Sequence, residues 1–349
     1  MKRIILIAFT ALMSLWAIAQ TQVTAFTPGV AANGVNYALP KTRLRIDVTA
    51  MKVVYTPGEY AKYAERYLHI ISADKAASTQ WSVTRLNVYQ EGVPDTSKVF
   101  TVKMKDKTIA PMVQLTNSGI LVAVNTTTEV KTPNFPSTRT TNHQLDARQY
   151  LTAEILSATS VAKRAELTAQ EILDIRESKN AIKRGQVESM PQDGASLKIV
   201  LDELDMQERA LTQLFVGYSD TTVTYQTYTI LPAEDIEKDV IFRFSRKLGF
   251  VDADDLAGDP YYISLKNQHT VVLPDQAELL KKKIAGLVYN MPSMAKLTIS
   301  TMQGPLYEQE LPFAQFGTLD VLSATLFNKG ASTRLTLDPA TGGIQHLEQ

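Results

Sequence analysis

The sequence predicts an α+β protein with two β-rich, sandwich-like lobes and a long antiparallel helical hairpin between them. Apolar and polar residues alternate before about residue 145 and again after residue 217, as in half-buried strands. Between those points apolar residues recur at steps of three and four, as in amphipathic helices. The predicted segments are a signal peptide at 1–19, an N-terminal β-rich lobe with a short helix at 20–144, the helical segment and hairpin at 145–217, and a C-terminal β-rich lobe at 218–349.

The first 19 residues have the layout of a secretory signal peptide. A basic start at residues 1–3 is followed by an apolar run from Ile4 to Ala19, which ends in an Ala-x-Ala cleavage motif before Gln20. The run is shorter than the roughly 20 apolar residues that a membrane-spanning helix needs. We therefore expect a soluble protein exported by this signal peptide to the periplasm or the cell exterior. The absence of cysteine from the sequence argues against a lipoprotein.

The N-terminal lobe is predicted to consist of strands joined by turns. Leu44, Ile46 and Val48 alternate with charged and polar residues, as the buried face of a strand does. Residues 92–95, Gly-Val-Pro-Asp, interrupt two such runs with residues that favour turns, which predicts a β-hairpin. Residues 126–142 are polar and contain several prolines, which predicts an exposed loop.

A short helix is predicted after Pro57, because proline and glycine precede a run with helical spacing. Tyr60, Tyr63 and Tyr67 would share one face of this helix. Their spacing favours packing against a sheet. A stacking platform for sugar rings is the alternative, since aromatic faces with polar tips suit carbohydrate.

The central segment is predicted to form two long helices. Helical periodicity runs from about Leu145 to Lys183 and stops at Gly185, and a second run ends at Gly217. A short connection between them predicts antiparallel packing. At 1.5 Å per residue each arm reaches roughly 30 Å, more than is needed to cover one face of a small sheet. The arms are therefore predicted to project from the lobes or to bridge them.

The C-terminal lobe is again predicted to be built from strands. Period two returns at Val223 and continues in runs such as Val240, Phe242 and Phe244. A brief helix is predicted at 274–283. No repeat recurs at a spacing of 20–50 residues, which argues against a solenoid or a propeller.

Several short segments along the chain are similar to those of one family. They are Thr27–Gly29, Leu39–Thr42, Tyr55–Leu68, Ile175–Lys179, Pro191–Gly194 and Leu214–Gly217. On these segments the chain resembles an uncharacterised family of exported envelope proteins from gut-type Gram-negative bacteria. The family is a domain of unknown function, so the resemblance implies that the protein is exported and identifies no catalytic residues.

Composition excludes several classes of function. The chain has 36 Lys+Arg and 36 Asp+Glu without a basic block, so no electrostatic surface for nucleic acid is predicted. Without cysteine there is no thiolate metal site, iron–sulfur cluster or cysteine nucleophile. Sequence motifs for serine hydrolases and for nucleotide binding are absent, and no cofactor is predicted. A catalytic group assembled from distant residues stays open.

Metal-binding patterns are weak. His69, His143, His269 and His346 are far apart and none has the spacing of zinc ligands. One acidic cluster is a candidate for calcium, with the carboxylates of Asp252, Asp254, Asp255 and Asp259. It departs from the EF-hand loop, because Leu256 and Ala257 stand where a ligand and glycine are required. A solvated turn that uses Asp for local hydrogen bonds is the favoured interpretation.

Two further candidates concern the surface. Thr221, in an Asp-Thr-Thr triplet between the predicted helix end and a strand at Val223, is a candidate for O-glycosylation. On the hairpin, Arg176, Glu177 and Lys179 belong to a mixed charged face. Such faces are usually solvated, and docking of a partner is the alternative.

The sequence therefore favours an exported, soluble, non-catalytic structural or interaction protein of the cell envelope. Its expected partner is another envelope protein. A carbohydrate-binding β-sandwich module, with a glycan as its ligand, is the first alternative. An envelope hydrolase without a recognisable motif is the second, so the question of enzymatic activity stays open.

Overall fold

The computed structural model describes residues 22–25, 34–103, 113–130, 137–187, 193–272, 286–323, 326 and 333–348. Within these ranges the chain forms three β-sheets and a helical hairpin, which confirms the predicted α+β fold with sandwich-like sheets. The predicted signal peptide at 1–19 and the predicted helix at 274–283 lie outside the described residues.

The first sheet unites chain segments from both sides of the helices. Its strands are β1 (Gln22–Ala25), β2 (Gly34–Thr56), β3 (Ser78–Lys103), β6 (Arg139–Thr141) and β7 (Tyr218–Ile230). They lie in the order β1-β3-β2-β7-β6, and neighbours are antiparallel. The loop predicted at 126–142 is wrong at Arg139–Thr141, which form β6 and pair with the edge of β7. Residues 131–136 of that predicted loop lie outside the described residues.

The second sheet packs face to face on the first. Its strands are β8 (Ile236–Ser245), β9 (Gly249–Val251), β10 (Asp259–Asn267), β11 (Gly286–Thr301) and β12 (Gly304–Ser323). Their order is β12-β11-β10-β8-β9. Ile46 and Val48 of the first sheet share a buried core with Phe242, Ile263 and Leu297 of the second. The alternation predicted for β2 is thus confirmed, and burial of this face is the main stabilising contribution to the sandwich.

A third, smaller sheet covers the other end of the long strands. It consists of β4 (Val113–Leu115), β5 (Leu121–Val124), β13 (Arg334–Leu337) and β14 (Ile344–Glu348), in the order β14-β13-β5-β4. Its core combines Leu121 and Leu335 with Tyr37, Phe100 and Val288 from the long strands. This end of the molecule is therefore closed by a core of its own.

The β-hairpin predicted at residues 92–95 is wrong, because β3 runs through them without a turn. Pro94 lies opposite Pro40 of β2, beside a shift in strand register. A Cβ on Gly92 would lie 1.9 Å from the carbonyl oxygen of Pro339, so glycine allows the last turn of the chain to approach the strand closely. Gly92 and Pro94 therefore allow close packing where β3 passes from the core between the first two sheets to the core under the third sheet.

The helices form a separate body. They are α1 (Ala64–Leu68), α2 (Ala153–Ser157), α3 (Val161–Lys183) and α4 (Gly194–Val216). The side chains of Ser160 and Asp193 accept hydrogen bonds from backbone N–H groups in the first turns of α3 and α4. The helix predicted from Leu145 is interrupted before Ser160, because this cap begins a new helix. None of the helices in the described ranges is long and apolar enough to cross a membrane.

The helical body has its own core, in which Tyr60 and Ala64 pack against Ile172, Leu211 and Phe215. The rings of Tyr60 and Phe215 meet edge to face, with centroids 5.4 Å apart. The first predicted tyrosine thus packs against the hairpin and not against a sheet. Because this core is distinct from the sandwich cores, the hairpin projects from the end of the first sheet where β2 stops and β7 starts.

Candidate functional site

Four charged residues join the two hairpin helices near their middle. Arg176 Nε donates to Glu208 Oε1 at 2.5 Å, and Lys179 Nζ donates to Glu208 Oε2 at 2.7 Å. Lys179 also forms an ion pair with Asp205. We call Arg176, Lys179, Asp205 and Glu208 the clasp. It links α3 to α4 in a part of the hairpin where no described side chain is buried.

The pKa shifts within the clasp all favour the charged forms. Burial works to raise the pKa of Glu208, but hydrogen bonds from Lys179 and Arg176 outweigh it and lower the pKa. The hydrogen bond from Lys179 lowers the pKa of Asp205. Hydrogen bonds to Asp205 and Glu208 raise the pKa of Lys179. The clasp is therefore ionised at neutral pH, with its charges paired internally.

The clasp divides the face predicted from Arg176, Glu177 and Lys179. Arg176 and Lys179 are three residues apart, share one side of α3 and bind α4. Glu177 follows Arg176 directly and is exposed to solvent. Arg176 and Lys179 are thus engaged in ion pairs with α4, whereas Glu177 is free to meet solvent, and docking of a partner by these three residues stays a prediction.

The outer part of the hairpin, residues 176–187 and 193–209, is named the distal arm. Nearer the sheets, α3 buries Ile172 and α4 buries Leu211, but within these two ranges no side chain is buried. Ile199 is 69% exposed and Met206 is 42% exposed. They are seven residues apart and so lie on the same face of α4. The distal arm thus presents apolar side chains to solvent on an ordered helix.

The aspartates of the calcium candidate lie in or beside the exposed turn that connects β9 to β10. They are Asp252, Asp254, Asp255 and Asp259. Arg243 organises this turn, since its guanidinium donates to the carbonyl oxygens of Ala253 at 2.7 Å and Gly258 at 3.1 Å. Across the ranges that the structure describes, no three His, Asp or Glu side chains are placed to hold a metal ion. The described geometry therefore gives no support to a calcium site at these aspartates.

The expected position of Thr221, in a connection before a strand at Val223, is wrong. Strand β7 begins at Tyr218, and Thr221 pairs with Val53 on one side and with Thr141 on the other. A strand that is hydrogen-bonded on both sides is less accessible to a modifying enzyme than a loop. Glycosylation of Thr221 stays a prediction.

A cleft of about 460 Å³ opens between the first and second sheets, at the end of the sandwich from which the chain leaves for the helices. We call it the mouth cleft. Strand β3 contributes residues 80–83, and the end of β11 with the turn that follows it contributes residues 301–303. The second sheet contributes Phe244, Arg246, Asp259 and Tyr261. The lining comes from segments far apart in sequence, so no local pattern could have predicted it.

Two aromatic rings of the mouth cleft are held from behind. The ring of Tyr261 stacks on Phe242, with centroids 4.4 Å apart and planes 17° apart, and Phe242 stacks in turn on Tyr228 at 4.9 Å. Gly249 packs on the indole of Trp81, where a Cβ would lie 2.9 Å from a ring carbon. The Trp81 backbone N–H also donates to a carbonyl of the turn between β8 and β9 at 2.8 Å. These contacts preform the cleft.

The polar part of the mouth cleft is balanced in charge. Arg246 contributes one positive charge and Asp259 one negative charge. Burial raises the pKa of Tyr261, and Asp259 raises it further while Arg246 opposes the shift. Within the described chain, the side chains of Gln80, Arg246, Asp259 and Gln303 are without a hydrogen bond to another protein group. Their hydrogen-bonding capacity is therefore available to a ligand.

Comparison with known proteins identifies the family of the chain. A family described as a domain of unknown function, DUF4831, matches residues 33–345. Neither a curated protein nor a solved structure is similar enough to match. The match confirms the resemblance to a domain of unknown function, whereas the envelope location and the bacterial source stay predictions. The chain belongs to the DUF4831 family.

Proposed function

We propose that the protein is an exported, non-catalytic structural or interaction component of the cell envelope that docks a protein partner through its distal arm. The observation that carries this proposal is the exposure of Ile199 and Met206 on one face of a projecting helix. Exposed apolar surface on an ordered element is typical of a protein interaction site.

The clasp supports this proposal because it links α3 to α4 within the distal arm, where no side chain is buried. Ion pairs between α3 and α4 hold the two helices together. The apolar residues on the solvent side of α4 are therefore not needed to close the hairpin. An apolar groove on a partner could cover Ile199 and Met206 in the manner of a helix laid into a groove. Full burial of each side chain is worth roughly 1.5–3 kcal/mol.

The predicted export signal supports a role in the cell envelope. The layout of residues 1–19 is that of a signal peptide, so the partner is expected outside the cytoplasm. The helical core around Phe215 is separate from the sandwich cores, which allows the arm to project away from the sheets. A projecting element of this kind suits a structural or connecting role better than the covering of a sheet.

Photo-cross-linking in intact cells tests this proposal. A photoreactive amino acid replaces Ile199 in one variant and Leu256, which is 83% exposed in the turn between β9 and β10, in a control variant. We expect a discrete cross-linked protein from position 199 and none from position 256. Identical adducts from both positions would mean that the distal arm has no special role.

Substitution separates docking from folding. Ile199→Glu combined with Met206→Glu places charge on an already exposed face, so the free energy of unfolding should change by less than about 0.5 kcal/mol per site. Recovery of the cross-linked partner, through a photoreactive residue at neighbouring position 202, should be lost. Leu256→Glu should leave recovery intact. Unchanged recovery from the double variant would contradict docking by this face.

A further inference from the structure

We propose that the mouth cleft binds a neutral saccharide, with the ring of Tyr261 as the stacking surface and Gln80, Arg246, Asp259 and Gln303 as hydrogen-bonding groups. This site lies on the sandwich and goes beyond the docking role proposed for the distal arm.

The lining matches the two kinds of surface that a sugar ring presents. A pyranose has an apolar C–H face, which packs on an aromatic ring, and a rim of hydroxyl groups, each of which both donates and accepts hydrogen bonds. Tyr261 provides the ring. The amides of Gln80 and Gln303 both donate and accept, Arg246 donates and Asp259 accepts. An apolar ligand would leave these polar groups without partners, at a cost in affinity.

Charge balance selects among polar ligands. Phosphate-bearing ligands and polyanions are recognised by an excess of Arg and Lys. Here the single cation of Arg246 is offset by the carboxylate of Asp259, so the lining carries no net charge. Lys52 places its ammonium 5.6 Å from the ring centroid of Trp81, where it interacts with the indole. The lining residues themselves therefore favour a ligand without net charge.

Rigidity and size fit a small ligand. The cleft volume of about 460 Å³ lies within the range of ordinary ligand sites. Phe242 holds the ring of Tyr261 from behind, and Gly249 holds that of Trp81. Because Lys52 and Gly249 both contact the indole, Trp81 serves as a wall and Tyr261 as the stacking surface. A preformed site loses little conformational entropy when it binds.

The test begins with an array of immobilised neutral oligosaccharides, acidic oligosaccharides and peptides. We expect the full-length protein to bind neutral oligosaccharides in preference to the other two classes. Solution titration of a bound oligosaccharide then follows the fluorescence of Trp81, with Trp81→Phe as the control for any other change in signal. Binding to none of the neutral oligosaccharides at millimolar concentration, or to acidic oligosaccharides or peptides alone, would overturn the proposal.

Matched substitutions locate the bound sugar. Arg246→Ala and Asp259→Ala should each weaken binding about tenfold, as expected for the loss of a hydrogen bond to a charged group. The controls Lys247→Ala and Asp254→Ala remove the same charges from neighbouring exposed residues outside the lining, and should leave the affinity within about twofold. Equal losses in lining and control variants would refute binding in the mouth cleft.

The stacking role of Tyr261 is tested by a pair of variants whose folding is checked by circular dichroism. Tyr261→Phe keeps the aromatic ring and its stacking on Phe242, so binding should fall by a few-fold at most. Tyr261→Leu removes the aromatic face and should abolish most of the binding. If both variants bind equally well, the ring is not the stacking surface and that part of the proposal is wrong.

Discussion

The contacts of the clasp predict that reversing two adjacent charges on α3 has different effects on the stability of the hairpin. Arg176→Glu should destabilise the hairpin by about 2 kcal/mol, whereas Glu177→Lys should change its stability by less than about 0.5 kcal/mol. The two substitutions both reverse one charge and lie next to each other on α3. They differ because Arg176 contacts Glu208 at 2.5 Å, whereas Glu177 is exposed.

The magnitude follows from the exposure of the pair. Two unit charges 4 Å apart interact with about 4 kcal/mol at an effective dielectric constant of 20. The side chain of Arg176 is 41% exposed and that of Glu208 is 18% exposed, so solvent screens a large part of this energy. We assign about 1 kcal/mol to the lost attraction. A further 1 kcal/mol or so is assigned to the repulsion between Glu at position 176 and Glu208.

Urea denaturation followed by circular dichroism at the helical band measures both changes in the free energy of unfolding. A double-mutant cycle with Arg176→Met and Glu208→Gln should give a coupling energy of about 1 kcal/mol, reduced at high salt. Equal effects of Arg176→Glu and Glu177→Lys, together with a coupling energy near zero, would refute the clasp. The hairpin would then have to be held together by the apolar contacts of its helical core alone.

Two further predictions concern the clasp and the mouth cleft. The pKa of Glu208 is lowered in the folded protein. The contribution of Glu208 to stability is therefore complete above its ordinary pKa of 4.5 and is lost as the pH falls through the lower pKa of the folded state. Glu208→Gln should consequently flatten the pH dependence of hairpin unfolding below about pH 4.5. Gly249→Ala should destabilise the sandwich by about 2 kcal/mol and shift the fluorescence of Trp81, because Gly249 has a φ of +83° and no room for a Cβ. Gly119→Ala, with a φ of +84° and open space around it, should cost only the backbone strain, about 1 kcal/mol, and leave the fluorescence unchanged.

The hairpin could be predicted from sequence because its signals are local. Gly185 and Gly217 have φ values of +67° and +72°, which glycine adopts without strain at helix ends. Asp193 accepts a hydrogen bond from the backbone N–H of Ser196, and so satisfies one of the free groups at the start of α4. Each of these capping features acts within one turn of helix, so the local sequence alone indicates where the helices begin and end.

The strand passing through residues 92–95 could not be predicted because its cause is distant. Gly92 and Pro94 have the local preferences of a turn. In the folded chain Gly92 accommodates Pro339, nearly 250 residues away, and Pro94 lies opposite Pro40 in the neighbouring strand. Tertiary packing therefore overrides the local preference. The mouth cleft escaped prediction for the same reason, since its lining is brought together only by the packing of two sheets.

The mouth cleft and the root of the helical hairpin lie at the same end of the sandwich. Gln80 of the mouth cleft pairs with Val53 of β2, and Thr56, where β2 ends, pairs with Tyr218, where β7 begins after the hairpin. Thr56 is three positions along the strand from Val53, a distance of about 10 Å. The opposite end is covered by the third sheet. A saccharide in the cleft would therefore lie beside the root of the hairpin, so that one copy of the chain could hold both proposed ligands on the same side of the sandwich.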